Sequence, residues 1–172
     1  MLEPVQLAPL IKVILDQYRL PPEGTHGVSH WARVYENGQR LAALSGADAD
    51  VVALFAIFHD ACRVNESHDD GHGLRGAILA EQMRNDIPLA DPSFELLLEA
   101  CRWHTDGILF ADTTVQTCWD ADRLDLPRVG IPIHKSRLCT PEARTDNCIV
   151  WATRRAEERI SPSFVAQFWL PS

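Results

Sequence analysis

The chain has 172 residues and a formal net charge of −8, enough for one domain with a sizeable core and too acidic for a nucleic-acid backbone to be its bulk partner. No apolar run approaches the roughly 20 residues that span a bilayer, and Met1–Leu2–Glu3–Pro4 puts no basic segment ahead of an apolar one, so neither a membrane partner nor a secretory signal is expected. The cysteines at 62, 101, 118, 139 and 148 form no Cys-x-x-Cys pair, and the expectation is reduced thiols in a cytoplasmic protein.

From Val5 to Leu20, apolar residues recur at helical spacing (Leu7, Leu10, Ile11, Val13, Ile14, Leu15, Tyr18), and Pro21–Pro22–Glu23–Gly24 ends the run. A second helix is predicted from His26 or Ser29 to about Ser45, with Trp31, Val34, Leu41 and Leu44 inward and Gly46 as its C-cap. Next comes Val51 to Arg63, in which an unbroken apolar run ends in His59–Asp60. Ala47–Asp48–Ala49–Asp50 makes an acidic helix start. A helix apolar on all sides is a central, buried one. A histidine and a carboxylate at its end must therefore be paired, neutralised or bound to a metal.

Asn65 to Gly73 reads as a polar loop, and a helix resumes at Leu74 and stops before Pro88. Asp91 is the predicted N-cap of the next helix, with Pro92 at its first position. That helix reaches Trp103–His104, and Gly107 interrupts. Val115 to Leu126 is a shorter helix, Arg128 to Leu138 is irregular, and Thr140–Pro141–Glu142 starts a last helix through Ala156. No hairpin signal or strict alternation occurs. The expectation is one all-α domain over residues 1–172, with about six to eight helices.

The polar residues of interest come from several of these segments: His30, His59, Asp60, His72, His104 and Asp122. Imidazoles and carboxylates sent by several helices into one interior are how helical proteins build metal sites. Neutral imidazole with carboxylate suits Zn, Mn, Fe or Co. His72 stands near a helix start, which favours its neutral form. Asp122 and Asp125 share a helix face, and Asp120 points elsewhere.

The ordered set, in the local contexts His30–Trp31–Ala32–Arg33–Val34, Phe58–His59–Asp60 and Asp120–Ala121–Asp122–Arg123–Leu124–Asp125, resembles the HD superfamily of metal-dependent phosphohydrolases over residues 24 to 127. The resemblance implies an all-α helical bundle. It makes His30, His59, Asp60 and Asp122 the ligands of one metal, with Asp122 rather than Asp120 matching the last ligand. Relatives with two further histidines hold a second ion. His72 and His104 match that pattern, and Asp60 then bridges the two. The implied cofactor is a divalent transition metal, two ions of Mn, Fe, Co, Ni or Mg.

The implied activity is hydrolysis of a small phosphoester, with nucleotides among the candidates, by metal-activated water at His59 and Asp60. Arg63 and Arg75 are the candidate phosphate contacts. Arg63 falls where many relatives have lysine and keeps the charge. The same ligand set also serves mixed-valent di-iron oxygenases of this scaffold. A non-catalytic nucleotide-binding module is the third reading, and it predicts eroded ligands, of which there are none. Asp125 either steadies a ligand from behind or pairs with Arg123. His26 either serves the second metal or substrate, or is a turn residue. His68 and His134 read as surface residues.

Overall fold

A computed structural model describes residues 1–106 and 109–170. Among the described residues the chain is all-α, with no strand. Its helices are α1 (Pro4–Leu15), α2 (Val28–Ser45), α3 (Ala49–Phe58), α4 (His72–Gln82), α5 (Asp91–Trp103), α6 (Thr113–Arg123) and α7 (Asp146–Glu157), joined by turns and short 3₁₀ segments.

The apolar run becomes α3, and every residue from Val51 to Phe58 is fully buried. The Asp48 carboxylate starts the helix by accepting from the backbone N–H of Asp50 at 3.0 Å and of Val51 at 3.4 Å. Helices α2, α5 and α6 pack around α3, so the helix has no wet face, as its sequence requires. Burying each large apolar side chain contributes about 1.5–3 kcal/mol, which makes α3 the rigid post of the domain. Helix α1 adds one apolar face, Leu7, Leu10, Ile11 and Ile14. The Trp169 indole then donates to the Pro4 carbonyl at 2.8 Å and ties a π-type turn, Val165–Trp169, over α1. A smaller core of Leu41, Leu124, Leu138, Ala143, Cys148 and Ala152 seats α7.

Two glycines set the position of α4. A Cβ on Gly76 would lie 2.3 Å from the Phe58 carbonyl oxygen, and one on Gly73 would lie 2.4 Å from the Cys101 carbonyl oxygen. The α4 backbone therefore rests directly on the end of α3 and on α5. His72, at the start of α4, is carried to the end of α3 by that contact.

Several boundaries differ from the sequence expectation, for local reasons. α1 stops at Leu15 because Gln17 and Tyr18 turn through tight bonds to Ile14 and Leu15, and the Tyr18 hydroxyl donates to the His26 carbonyl at 2.9 Å. α3 ends at Phe58, and Arg63 follows through tight turns rather than a continued helix. Leu44 is 66% exposed and does not face inward. Asp91 is the first residue of α5 rather than its cap, which is Ala90. α6 spans Thr113–Arg123, begun by Asp112 accepting from the Thr114 N–H at 2.7 Å. α4 opens at His72, two residues before Leu74.

The last helix starts at Asp146, capped by Thr145, and not at Thr140. Thr140 is engaged elsewhere: its hydroxyl and N–H both donate to the Asp120 carboxylate at 2.7 Å, beside the Cys139 N–H at 2.8 Å. Asp120 thus pins the irregular segment before α7. Gly107 lies outside the described residues. All five cysteines are free thiols.

Gly76→Ala tests the close seat of α4. Alanine ordinarily favours a helix over glycine by about 0.5–1 kcal/mol. Here the added Cβ meets a backbone carbonyl, and a loss of about 1–3 kcal/mol is expected instead. The urea midpoint should fall; a rise would mean that α4 is not held against α3.

Candidate metal centre

The ends of α2, α3, α4, α5 and α6 bring the polar set to one place. His30 comes from the buried face of α2, and the half-buried Asp122 from α6. His59 caps α3, Asp60 follows it, His72 opens α4 and His104 caps α5. These side chains form two groups of potential ligand atoms, His30–His59–Asp122 and Asp60–His72–His104, each lying within 4.8 Å of one another.

Asp60 joins the two groups through its two oxygens. Oδ2 lies 3.5 Å from His30 Nε2 and 3.8 Å from His59 Nε2. Oδ1 lies 3.1 Å from His72 Nε2 and 3.9 Å from His104 Nε2. Asp122 Oδ1 is 3.5 Å from His30 Nε2 and 3.7 Å from His59 Nε2. Each cluster therefore faces one oxygen of the same carboxylate.

The partners of the imidazoles fix which nitrogen is bare. His30 Nδ1 donates to Asp125 Oδ2 at 2.7 Å. His59 Nδ1 donates to the carbonyls of Ala56 at 3.1 Å and Phe55 at 3.2 Å. His72 Nδ1 donates to the Asp69 carbonyl, and His104 Nδ1 to the Cys101 carbonyl, both at 2.7 Å. A carbonyl or carboxylate accepts only, so each Nδ1 carries a hydrogen, and in the neutral ring Nε2 presents a lone pair. His30 and His59 bring these nitrogens to 3.1 Å, and His72 and His104 to 2.9 Å. Two bare nitrogens at such distances need a proton or a metal cation between them. Hydrogen-bonded imidazoles around buried carboxylates are the donor set that a divalent transition metal takes, and these residues fit one.

Electrostatics points the same way. Burial pushes His59 down to about 3, against the pull of Asp60 and Asp122. Burial also lowers His104. Both are therefore neutral at physiological pH, the form a metal ligand requires. Burial opposes the charge on Asp60, yet His59, His30 and His72 hold its carboxyl well below the usual range. His72 differs from its sequence expectation: burial lowers it, but the adjacent Asp60 outweighs both burial and the helix start and raises it.

Around this set stands a layer of positioning contacts. Asp125 is fully buried. It holds His30 and in turn accepts from Arg33 Nε at 2.7 Å and Nη2 at 3.1 Å. Asp125 thus steadies His30 from behind and is itself braced by Arg33. Arg33 carried no assignment from sequence, although its place one helical turn after His30 was the available signal. Arg63 is buried and lies 3.5 Å from Asp60 Oδ1 and 3.2 Å from His72 Nε2. Arg75 is not brought into the centre. It donates to Asp69 at 2.7 Å and to the Cys62 and Asp70 carbonyls at 3.0 Å, bracing the loop that presents His72. His26 pairs with Glu66 at 2.6 Å, and His68 is an exposed partner of Asp70.

A cavity of about 790 Å³ opens beside the centre, with His104 and Asp122 on its wall. Arg123, His134 and Arg137 line it too, among Leu109, Ile131 and Ile133. His134 therefore faces a cavity beside potential ligands. The irregular segment after α6 hid this wall from sequence reading, because no periodicity orients its side chains.

Residues 27–126 match the family model named HD domain. The chain belongs to the HD domain family, the superfamily of metal-dependent phosphohydrolases. No curated protein and no solved structure matches the chain.

Asp125→Ala should expose the dependence of His30 on its acceptor. Metal affinity is expected to fall about 10–100-fold. Stability is expected to fall by about 3–5 kcal/mol, since buried Arg33 loses its partner. Metal titration and chemical denaturation read the two effects separately, and unchanged metal affinity would remove Asp125 from the centre.

Proposed function

We propose that the protein is a metal-dependent phosphohydrolase that cleaves a small phosphoester with two divalent transition-metal ions. One ion is assigned to His30, His59 and Asp122, the other to His72 and His104, with Asp60 shared. The observation that carries this reading is the split of Asp60, one oxygen toward each group of donors. His72 and His104 have no part in a one-metal site, yet their bare nitrogens converge on that carboxylate. Membership of the HD domain family supports the reaction class.

When bound, ions of this kind offset the charge of a phosphoester and lower the pKa of a bound water toward ~7. The chain itself supplies the rest. His30, His59, His72 and His104 are held by their Nδ1–H bonds, so little reorganisation is needed on binding. Arg63 offers a fixed cation beside Asp60, suited to a phosphoryl oxygen. The 790 Å³ cavity gives a small ester room against Asp122 and His104. Local positive charge is what lets a chain of net charge −8 accept an anion.

Metal counting on the purified protein is expected to give about two ions per chain. His72→Ala and His104→Ala should each lower the count toward one while the fold survives. A metal-replete wild-type count of one, unmoved by either variant, would contradict the shared-Asp60 site.

Activity follows from the same assignment. Phosphomonoester and phosphodiester hydrolysis should require Mn, Fe, Co, Ni or Mg, and His59→Ala or Asp60→Ala should abolish it. Arg63→Ala should keep the metal count and lose about 10–100-fold in kcat/KM, the equivalent of a charge-assisted hydrogen bond of ~1.5–3 kcal/mol. Oxygen uptake on an organic substrate by the iron-loaded protein, with no ester hydrolysed, would overturn hydrolysis in favour of the oxygenase chemistry open to the same ligands.

A further inference from the structure

A second cavity, of about 140 Å³, lies beside His30 and is lined by Ser29, Arg33, Arg128 and Arg159, with Glu23 also on its wall. Bulk water occupies about 30 Å³ per molecule. The space therefore suits one phosphate-sized oxyanion with a little water, and it is below the ~300–1,000 Å³ of a typical small-molecule pocket.

Its charge is unbalanced. Arg33 and Arg128 are both buried. Arg33 is spent on Asp125 and on the Ile160 carbonyl. Arg128 donates Nε to the Thr25 carbonyl at 3.2 Å and Nη1 to the Asp125 carbonyl at 3.1 Å. Its Nε lies 3.7 Å from the Asp125 carboxylate. A single carboxylate thus faces two buried guanidinium groups and His30. Arg159 adds a third guanidinium to the wall, and its side chain has no hydrogen bond or ion pair among the described residues. Glu23 is the opposing charge, and both it and Arg159 are exposed.

The backbone of Arg159 is a separate observation. Its φ is 49°, the one positive value at a non-glycine position among the described residues. It terminates α7: its N–H donates to the Ala156 carbonyl at 3.1 Å, and the Ile160 N–H donates to the Arg155 carbonyl at 3.0 Å. Glycine is the usual residue at the left-handed position of this helix ending, because an L side chain there is strained. The chain instead places an arginine there, beside two other arginines. The cavity also meets the start of α2 at Ser29. Gly27 caps that helix with no side-chain acceptor, so the first-turn N–H groups add positive potential.

We propose that this cavity binds a phosphate-sized oxyanion, held by Arg128, Arg159 and the first turn of α2. The site does not depend on the hydrolase reading. The His30 nitrogens are both engaged elsewhere, one with Asp125 and the other in the metal centre.

The test is calorimetric titration of inorganic phosphate into the full-length wild type and into Arg159→Gly. The variant keeps every proposed metal ligand, so phosphate bound at the metal centre persists in both proteins and cancels. The wild type should bind one equivalent that the variant binds about tenfold more weakly or not at all. Arg159→Lys should keep part of the affinity. Arg159→Gly should also melt at a higher temperature in phosphate-free buffer, because glycine relieves the backbone. That result separates lost binding from lost folding. Phenyl phosphate, titrated in the same way, distinguishes the sources. Binding at the cavity marks a phosphate carried by a larger ligand, and its absence beside phosphate binding marks the free anion; both uphold the oxyanion site. Equal stoichiometry and affinity in wild type and Arg159→Gly would overturn it.

Discussion

A buried carboxylate with its two oxygens turned to different groups of imidazole nitrogens is the constraint on which the rest of this molecule depends. Asp60 stays ionised among residues that exclude water. An isolated charge in that position is prohibitive. His59, His30 and His72 hold the Asp60 carboxyl well below the usual range, and Arg63 brings a permanent charge within 3.5 Å of Oδ1. The imidazoles add charge of their own only when they take up protons, and a bound cation would supply it otherwise. Asp60 accordingly raises the affinity of His72 for a proton against the effect of burial.

The fold exists to hold those donors still. The wholly apolar α3 leaves His59 and Asp60 no freedom to move with their helix end, because nothing around it can be rehydrated cheaply. Glycines at 73 and 76 let α4 approach within backbone contact, which sets His72 against His104. Asp125 ties His30 on α2 to the end of α6. Arg75, removed from the centre, secures the loop that delivers His72. Stability and site geometry therefore share the same contacts: loosening α4 or the 62–70 loop disturbs the second group of donors before it disturbs the core.

Much of this was legible in the residues. The unbroken apolar run announced a central helix, and the residue pattern around His30, His59–Asp60 and Asp122 carried the family resemblance that residues 27–126 bear out. The structure places His72 and His104 beside Asp60. What stayed hidden has physical causes. Arg63 and Arg75 are indistinguishable as cations near a His–Asp pair, and only tertiary contacts send one toward Asp60 and the other to Asp69. Thr140 has the composition of a helix start, yet a long-range bond to Asp120 outcompetes capping. The left-handed Arg159 could not be read at all, since sequence pattern leads to glycine at that conformation.

Sharing of Asp60 between two ions is the proposed arrangement on which the rest turns. Anomalous X-ray diffraction from crystals loaded with Mn or Fe, recorded at the metal edge, tests it directly. Two peaks are expected roughly 3.5–4 Å apart, one against His30, His59 and Asp122 and the other against His72 and His104, with an Asp60 oxygen toward each. A single peak held by His30, His59, Asp60 and Asp122, with His72 and His104 paired only to each other and to Arg63, would contradict it.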